Sequence, residues 1–240
     1  EKFNIIQTAM ASSERIFELL DTPEQLPDKV PHQPDFKIKG NVEFKNVWFA
    51  YNDENYILKD ISFSLSEGES LAIVGATGSG KSSLVNALCR FYDIQKGNIL
   101  FDDKPIHSIN KYDLRRQIAL VQQDVFLFSG NISDNIRLGN PHIVQKEIES
   151  ISQSVSAHKF ISNLPFKYEQ ELKDGGVGIS SGQMQLISFA RALARNPRIL
   201  ILDEATSSVD LETESQIQSG IQELIRGRTS IIIAHRISTL

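Results

Sequence analysis

The sequence predicts an α/β fold with a mainly parallel sheet. Three continuous apolar runs, at residues 71–74, 199–202 and 230–234, have the composition of strands that are covered on both faces. Between them lie helical patterns, most clearly from Gln183 to Arg195 and from Glu212 to Arg226. Buried strands that alternate with helices are typical of an α/β core.

Two further regions complete the predicted architecture. Short segments between Val42 and Leu65 alternate between apolar and polar residues, which is typical of half-buried antiparallel strands. We therefore expect an antiparallel β edge subdomain beside the core. The stretch from about 124 to 180 has mostly helical patterns and no buried strand. This pattern predicts a helical subdomain that is inserted into the core.

Composition excludes some classes of protein. The 240 residues are 40% hydrophobic and 23% charged, which is ordinary for a soluble globular protein. The net charge of -5 argues against nucleic acid as a partner, because phosphate binding over a long surface needs clustered Lys and Arg. The longest apolar run has five residues, whereas a membrane span needs roughly 20. The single cysteine, Cys89, lies in an apolar pattern and is expected to be a buried thiol.

The N-terminal region predicts a helix followed by a loop. Apolar positions between residues 3 and 20 form one stripe of an amphipathic helix. Such a helix either packs on its own domain or connects to another one. Four prolines follow between residues 23 and 34, so we interpret residues 1–35 as a linker. The chain starts without Met and stops at Leu240 in a helix-like pattern, and we expect both ends to be cut.

A glycine-rich loop predicts binding of a nucleoside triphosphate. Residues 75–82 match G-x-x-x-x-G-K-[ST] between a predicted buried strand and a predicted helix. Such a loop points backbone N–H groups at phosphate oxygens, and the helix N-terminus adds partial positive charge. The candidate binding residues are Gly75, Ala76, Thr77, Gly78, Ser79, Gly80, Lys81, Ser82 and Ser83. Lys81 is expected to reach the β- and γ-phosphates, and the Ser82 hydroxyl suits Mg²⁺. The alternative is a chance glycine turn, but the pattern and its context favour a RecA-like P-loop NTPase core.

Two carboxylates follow the predicted strand 199–202. Asp203 and Glu204 stand at the carboxyl end of a parallel strand, where α/β sheets bind ligands. Asp203 is placed to hold the Mg²⁺ shell, usually through water. Glu204 is placed to orient or deprotonate the attacking water. The alternative is an acidic helix cap, which is common after strands in α/β proteins.

One further motif indicates which family of P-loop proteins the sequence resembles. Ile179-Ser180-Ser181-Gly182-Gln183, followed by a helix, resembles the signature sequence of the ATP-binding domains of ABC transporters, usually Leu-Ser-Gly-Gly-Gln. Its position about twenty residues before the acidic strand makes the resemblance specific. Ser180 is expected to cap a helix whose N–H groups meet a γ-phosphate. The resemblance covers about residues 36–240 and implies ATP and Mg²⁺ as cofactors.

The resemblance also assigns roles to single residues. Tyr51 resembles the aromatic residue that stacks on adenine, and the alternative is a strand aromatic that packs on the core. Gln123 resembles the glutamine that contacts Mg²⁺ and senses the membrane domain, and Gln122 is its rival. Residues 207–210 resemble the loop that crosses the dimer interface, although Asp210 could also be a plain helix cap. His235 resembles the histidine that contacts the γ-phosphate.

Two other segments resemble exporters whose membrane and ATPase domains are fused, namely residues 11–21 and 126–132. The resemblance then implies that 1–35 is a linker from a missing transmembrane domain. Residues 36–240 would be an ABC ATPase domain with a helical subdomain at about 124–190 and a missing C-terminal segment. The expected location is the cytoplasmic face of a membrane.

The mechanism that the resemblance implies is a head-to-tail dimer with two ATP molecules at its interface. The implied partners are a second ABC ATPase domain, in a homodimer or a heterodimer, and the transmembrane domain of the same transporter. Lys81 neutralises phosphate charge, and Glu204 with His235 positions water for attack. The rival functions are a soluble ABC ATPase that acts on nucleic acid or ribosomes, and a regulatory module that no longer hydrolyses ATP.

Two residues depart from the family pattern. Ser181 stands where the signature usually has glycine, which adds a hydroxyl close to the expected phosphate position. This change either weakens or retunes the composite site. Gly175 stands where exporters often carry arginine, which puts transmission to the membrane domain in question.

Overall fold

A computed structural model of the chain describes residues 2–22, 28–52, 54–138, 140, 142–172, 174–176, 178–203 and 211–234. The helices are α1 (Lys2–Asp21), α2 (Lys81–Leu88), α3 (Lys111–Arg116), α4 (Ile132–Arg137), α5 (Gln145–Ser154), α6 (His158–Asn163), α7 (Ser181–Ala194) and α8 (Leu211–Ile225). The strands are β1 (Val42–Phe49), β2 (Leu58–Leu65), β3 (Ser70–Val74), β4 (Lys96–Phe101), β5 (Lys104–Pro105), β6 (Ile118–Val121), β7 (Gly130–Asn131), β8 (Glu171–Leu172), β9 (Ile199–Asp203) and β10 (Thr229–Ala234). Short 3-10 helices occur at Ile106–Ser108, Lys167–Glu169 and Asp174–Gly176.

The parallel sheet has the strand order β3-β10-β9-β6. The three strands that the apolar runs predict are confirmed as β3, β9 and β10, and β6 is a fourth strand that the sequence analysis did not predict. Side chains of β9 alternate between two cores: Ile199 and Ile201 lie in one, and Leu200 and Leu202 in the other. Burial on both faces explains why this strand is apolar at every one of these positions.

The prediction that all three apolar strands are covered on both faces is wrong for β3. This strand forms an edge of the parallel sheet, and Ser70, Ala72 and Val74 are exposed on one of its faces. Leu71 and Ile73, which point the other way, pack against the first core. Alternate side chains point to opposite faces of a strand, so one face of β3 is open within the described part of the chain.

The antiparallel strands form a sheet of their own, in the order β2-β1-β4-β5. They do not extend the parallel sheet. The first core lies between the two sheets and contains Phe44, Phe49 and Phe101 from the antiparallel strands together with Leu84 and Leu88 from α2. Complete burial of such a side chain contributes about 1.5–3 kcal/mol. The helix that follows the glycine loop is thus anchored by both sheets.

The second core belongs to the helical subdomain, where we predicted helices. Helix α7 packs against α4, α5, α8 and β6. The apolar side chains of this core include Ile132, Ile148, Ile187 and Phe189, all without measurable exposure. A two-residue antiparallel pair, β7 with β8, closes one side of the subdomain. The region is therefore helical with one minimal β pair.

Helix α1 exposes all of its side chains. Its apolar residues, among them Phe3, Ile6, Phe17 and Leu20, are more than half exposed. The exposure argues against a surface helix that packs on its own domain and favours the connector interpretation. No helix in the described ranges is long and apolar enough to cross a membrane.

The segment after α1 is hydrogen bonded to α3. The backbone N–H of Lys111 donates to Asp28 Oδ2 at 2.5 Å, and Asn110 Nδ2 donates to the carbonyl of Val30 at 2.6 Å. The buried carboxylate of Asp113 pairs with His32 at 2.5 Å and accepts a hydrogen bond from the backbone N–H of the next residue, Gln33, at 2.7 Å. These bonds attach residues 28–33, a part of the predicted linker, to the α/β core.

Candidate functional site

All four parallel strands end at the same edge of the sheet. In register, Ala234 lies beside Val74, and Asp203 lies beside the residue that precedes Ala234. On the other side of β9, Val121 lies beside Leu202. The same edge of the sheet therefore carries the glycine loop after β3, Asp203 at the end of β9, and the two glutamines that follow Val121. Ligands bind at this edge in α/β folds.

The glycine loop wraps around the side chain of Lys81. The Nζ of Lys81 donates hydrogen bonds to the carbonyl of Gly75 at 2.6 Å and to the carbonyl of Ala76 at 2.9 Å. The residue is only 8% exposed. Gly80 caps α2 with φ of 93°, a backbone conformation that residues with a side chain rarely adopt. A Cβ there would lie 3.1 Å from Leu58. The sequence thus forms a tight loop that holds a buried cation at the start of a helix.

Tyr51 lies beside this loop and is held by four neighbours. Asn86 Nδ2 donates to the Tyr51 hydroxyl at 2.8 Å, and the hydroxyl donates to Ser83 Oγ at 3.3 Å. The rings of Phe49 and Tyr92 meet its ring edge-on, with centroids at 4.8 and 4.9 Å. Tyr51 is still 40% exposed, so an aromatic surface next to the loop is open to a planar ligand.

The candidate Mg²⁺ ligands offer hard oxygen atoms, which suit this ion. Ser82, the second residue of α2, is exposed, Asp203 is half-buried at the end of β9, and Gln123 is exposed. These donor types fit Mg²⁺ with water in its shell. The rival glutamine, Gln122, lines a groove between β6 and α7, and Gln123 is not among the residues of that groove.

The predicted signature residues form the N-terminus of α7. Ser180 Oγ accepts from the backbone N–H of Gln183 at 3.2 Å, and Gln183 Oε1 accepts from the backbone N–H of Ser180 at 3.2 Å. This reciprocal capping box leaves the helix end exposed, with Gly182 buried behind it. No hydrogen bond joins residues 180–183 to the glycine loop in the described part of the chain. The structure therefore does not bring the two phosphate-binding elements together within one copy.

The two departures from the family pattern have different surroundings. Ser181 is the first residue of α7 and is exposed, so its hydroxyl stands at the helix end itself. Gly175 has φ of 75°, and a Cβ would meet no atom within 4 Å. An arginine at position 175 would have enough space but a strained backbone. The backbone at position 175 thus has a positive φ, which favours glycine.

A polar network fixes α7 to the segment that follows the glutamines. The guanidinium of Arg191 donates to the carbonyls of Asn135 and Phe126 and to Asn135 Oδ1, at 2.9–3.0 Å. Asn135 Nδ2 donates in turn to the carbonyl of Phe128 at 2.8 Å, and Asn135 Oδ1 accepts from the Phe128 N–H at 2.9 Å. Burial lowers the pKa of Arg191. The network makes residues 126–128 part of the helical subdomain.

Several predicted residues lie outside the described residues. They are the two proposed water-positioning residues, Glu204 and His235, and the predicted interface loop 207–210. Their roles rest on the sequence alone.

Sequence reasoning missed Asn86, Asn135 and Arg191. Asn86 is a half-buried polar residue at helical spacing from Ser83, in a helix that is otherwise mostly buried. A polar residue on the buried side of a helix is a signal that could have been noticed. Asn135 is 2% exposed, and such burial needs hydrogen-bond partners, but its partners lie in distant parts of the sequence.

Comparison with known proteins gives consistent matches. The family model described as ABC transporter matches residues 58–207. An uncharacterized ABC transporter ATP-binding protein of Bacillus subtilis, YknV, is 46% identical over 238 residues, which are 99% of this chain and 39% of the relative. A fatty acid ABC transporter ATP-binding/permease protein of Mycobacterium bovis is 44% identical over 238 residues, 99% of this chain and 37% of the relative.

A solved structure has the same fold. The structure of a bacterial Atm1-family ABC exporter with ATP bound superposes with a TM-score of 0.85 at 36% identity, and the match covers 99% of this chain and 41% of that one. The chain thus spans about two fifths of the length of the relatives that it matches.

Proposed function

Since this chain belongs to the ABC transporter family, we propose that it binds and hydrolyses ATP and that the full protein uses this reaction to drive export across a membrane. The observation that carries the proposal is the common edge of the parallel sheet. The glycine loop with the buried Lys81 and the carboxylate of Asp203 both leave the sheet at this edge, from the two strands that flank β10.

ATP binding follows from the residues of the loop. The triphosphate lies against the backbone N–H groups of residues 75–82 and the N-terminus of α2. Lys81 exchanges its two carbonyl acceptors for phosphate oxygens, which are better partners because they are charged. Adenine stacks on the exposed ring of Tyr51. Stacking reads the shape of a base more than its hydrogen-bonding groups, so we expect modest discrimination between ATP and GTP.

Hydrolysis needs a positioned water and neutralised phosphate charge. Glu204 orients or deprotonates the water, and His235 contacts the γ-phosphate. Mg²⁺, held by Ser82, Asp203 and Gln123 with water, supplies charge neutralisation when it is bound. Lys81, which the glycine loop already holds, supplies fixed positive charge beside the phosphates, and fixed charge of this kind is how electrostatic catalysis acts.

A second copy completes the site. The signature residues 180–183 stand at an exposed helix end, without hydrogen bonds to their own glycine loop. A head-to-tail dimer places the N–H groups at the start of α7 of one domain against the γ-phosphate held by the other. The partner is another ABC ATPase domain, identical or related. Closure on ATP and opening after hydrolysis then form the cycle.

The force of this cycle is transmitted to a transmembrane domain of the same transporter. Support comes from the exposed apolar face of α1 and from the relatives, which include an ATP-binding/permease protein. In this arrangement the domain lies on the cytoplasmic face of the membrane. The segment 28–33, which lies between α1 and the ATPase core in sequence, is hydrogen bonded to α3 and its N-cap Asn110.

The test compares the ATPase rates of the parent chain, Glu204→Gln and a control, Glu214→Gln, which alters an exposed carboxylate on α8. We expect Glu204→Gln to lose a factor of about 10²–10⁴ in rate, as is usual for a general base. This variant should retain ATP and elute as a dimer in size-exclusion chromatography with ATP, while the control behaves like the parent. Equal rates for Glu204→Gln and the parent would refute the assigned role. Lys81→Ala should abolish ATP binding.

A further inference from the structure

The hydroxyl of Tyr51 is tied to the phosphate-loop helix, and we propose that Asn86 is the positioning residue that holds Tyr51 in place for the nucleotide base. The inference rests on the proposed ATP-binding function and adds to it a residue that determines affinity for the base. It makes Tyr51, Ser83 and Asn86 one hydrogen-bonded unit that joins the base platform to the loop that holds the phosphates.

The geometry of this unit is specific. Asn86 Nδ2 donates to the Tyr51 hydroxyl at 2.8 Å, and the hydroxyl proton is directed to Ser83 Oγ at 3.3 Å. Ser83 and Asn86 are three positions apart on α2, so their side chains lie on the same face of the helix. One phenolic oxygen thus accepts one hydrogen bond and donates another, which satisfies its capacity on this side.

The hydrogen bonds of the hydroxyl add a directional restraint to the ring contacts of Tyr51. Phe49 and Tyr92 contact it edge-on, with interplanar angles of 81° and 83°. The residue follows β1 in a loop and remains 40% exposed. Two hydrogen bonds at the far end of the ring hold the hydroxyl in place, and with it the direction in which the ring extends beside the glycine loop.

Asn86 has no competing task in the described part of the chain. Its side chain makes the single hydrogen bond to Tyr51, and it is a poorer helix former than alanine. It stands five positions after Lys81 on the same helix, which the core anchors through Leu84 and Leu88. The distance between the base platform and the phosphate loop is therefore set by a rigid element. Such pre-organisation increases affinity by lowering the ordering cost of binding.

The experiment measures binding of ATP, ADP and inorganic tripolyphosphate by titration calorimetry to the parent chain, Asn86→Ala, Tyr51→Phe and the double variant. Tyr51→Phe keeps the ring and removes the hydroxyl. We expect each single variant to raise the Kd for ATP and for ADP by about 3- to 10-fold, the range of one lost hydrogen bond. The double variant should be no weaker than Tyr51→Phe, because loss of the hydroxyl already removes the bond from Asn86 together with the bond to Ser83. Tripolyphosphate, which has no base, should bind all four proteins equally.

Three results would overturn the proposal: an unchanged Kd for ATP in Asn86→Ala, additive losses in the double variant, or an equal loss of tripolyphosphate binding. The last result would mean that Asn86 supports the phosphate loop instead of Tyr51. The matched control is Asn55→Ala, an exposed asparagine close to Tyr51 in sequence, which should bind ATP like the parent. Lys81→Ala separates the two hypotheses. If the parent does not bind ATP, or if Lys81→Ala binds ATP as tightly as the parent, the proposed function is wrong. If Lys81→Ala loses ATP binding but Asn86→Ala binds ATP like the parent, only the inference about Asn86 is refuted.

Discussion

Replacement of Arg191 by methionine should destabilise the helical subdomain more than any surface substitution. Methionine keeps most of the length and apolar volume of the side chain and removes the guanidinium. The change eliminates three hydrogen bonds, two to Asn135 and one to the carbonyl of Phe126, and the contact of the guanidinium with the Phe128 ring at 5.8 Å. It also leaves part of the network around Asn135 without its donors.

The expected loss of stability is the balance between the lost hydrogen bonds and the removed cost of burying a charge. A hydrogen bond from a charged donor contributes about 1.5–3 kcal/mol, but burial of the guanidinium costs part of that gain, as the lowered pKa of Arg191 indicates. The carbonyl of Phe126 lies at an exposed residue where water can replace the lost donor. Asn135 is 2% exposed, so its oxygen atoms lose partners that water does not easily replace. We therefore expect a loss of about 2–4 kcal/mol in the free energy of unfolding.

The measurement is urea unfolding followed by circular dichroism, with hydrogen exchange at the Phe128 amide as a local probe. That amide donates to Asn135 Oδ1, so its exchange should accelerate in Arg191→Met. Arg191→Lys should lose nearly as much, because lysine lacks the planar fork that reaches several acceptors. Asn135→Ala combined with Arg191→Met should cost less than the sum of the single changes.

The matched control is Arg116→Met, which removes an exposed guanidinium that contacts the Tyr112 ring and lies near the like charge of Arg195. This control should stay within about 0.5 kcal/mol of the parent. If Arg191→Met were as mild as Arg116→Met, the reasoning about the network would be refuted.

Three other predictions concern single residues. Gly80→Ala should weaken ATP binding at least about tenfold, because φ of 93° is strained for alanine and its Cβ would press on Leu58; Gly68→Ala, with φ of 79° and open space around it, should strain the chain similarly but leave ATP binding unchanged. Burial raises the pKa of Cys89 to about 12, so this thiol should resist a thiol reagent at pH 8 in the native protein and react in urea; rapid native labelling would contradict its burial. Partial burial raises the pKa of Asp102, but hydrogen bonds from three backbone N–H groups and an asparagine side chain outweigh it and lower the pKa below 3.8. The stability advantage of the parent over Asp102→Asn should thus be full above about pH 4 and shrink as pH falls further, and an advantage that grew on acidification would be inconsistent with that sign.

Features that are local in sequence could be predicted. The glycine loop, the strand before it and the start of α2 at Lys81 follow from eight neighbouring residues. Helices α7 and α8 follow from apolar spacing, and the capping box of Ser180 with Gln183 follows from residue type and distance along the chain. Each of these features is determined by contacts within one or two turns.

Features that depend on distant contacts could not be predicted. Strand β6 has four residues, too few to show a period, and it is defined by its pairing with β9. The open face of β3 depends on which elements pack against it, and its apolar composition does not reveal that. The partners Tyr51 and Asn86 are 35 positions apart, and Asn135 and Arg191 are 56 apart. No periodicity in the sequence relates such pairs.

The two cores explain how one chain can present two halves of an ATP site. The glycine loop and α2 are anchored in the first core, and the signature helix α7 is anchored in the second. Strand β9 belongs to both, since Ile201 packs into the first core and Leu202 into the second. Because packed strands resist deformation, a shift of α7 relative to the glycine loop has to be taken up outside β9. Residues 122–125 connect β6 to the segment that Arg191 fixes to α7, and Gln122 and Gln123 lie in that connection. If Gln123 contacts the nucleotide as proposed, a movement of this residue would therefore be transmitted to the helical subdomain through the Arg191 network.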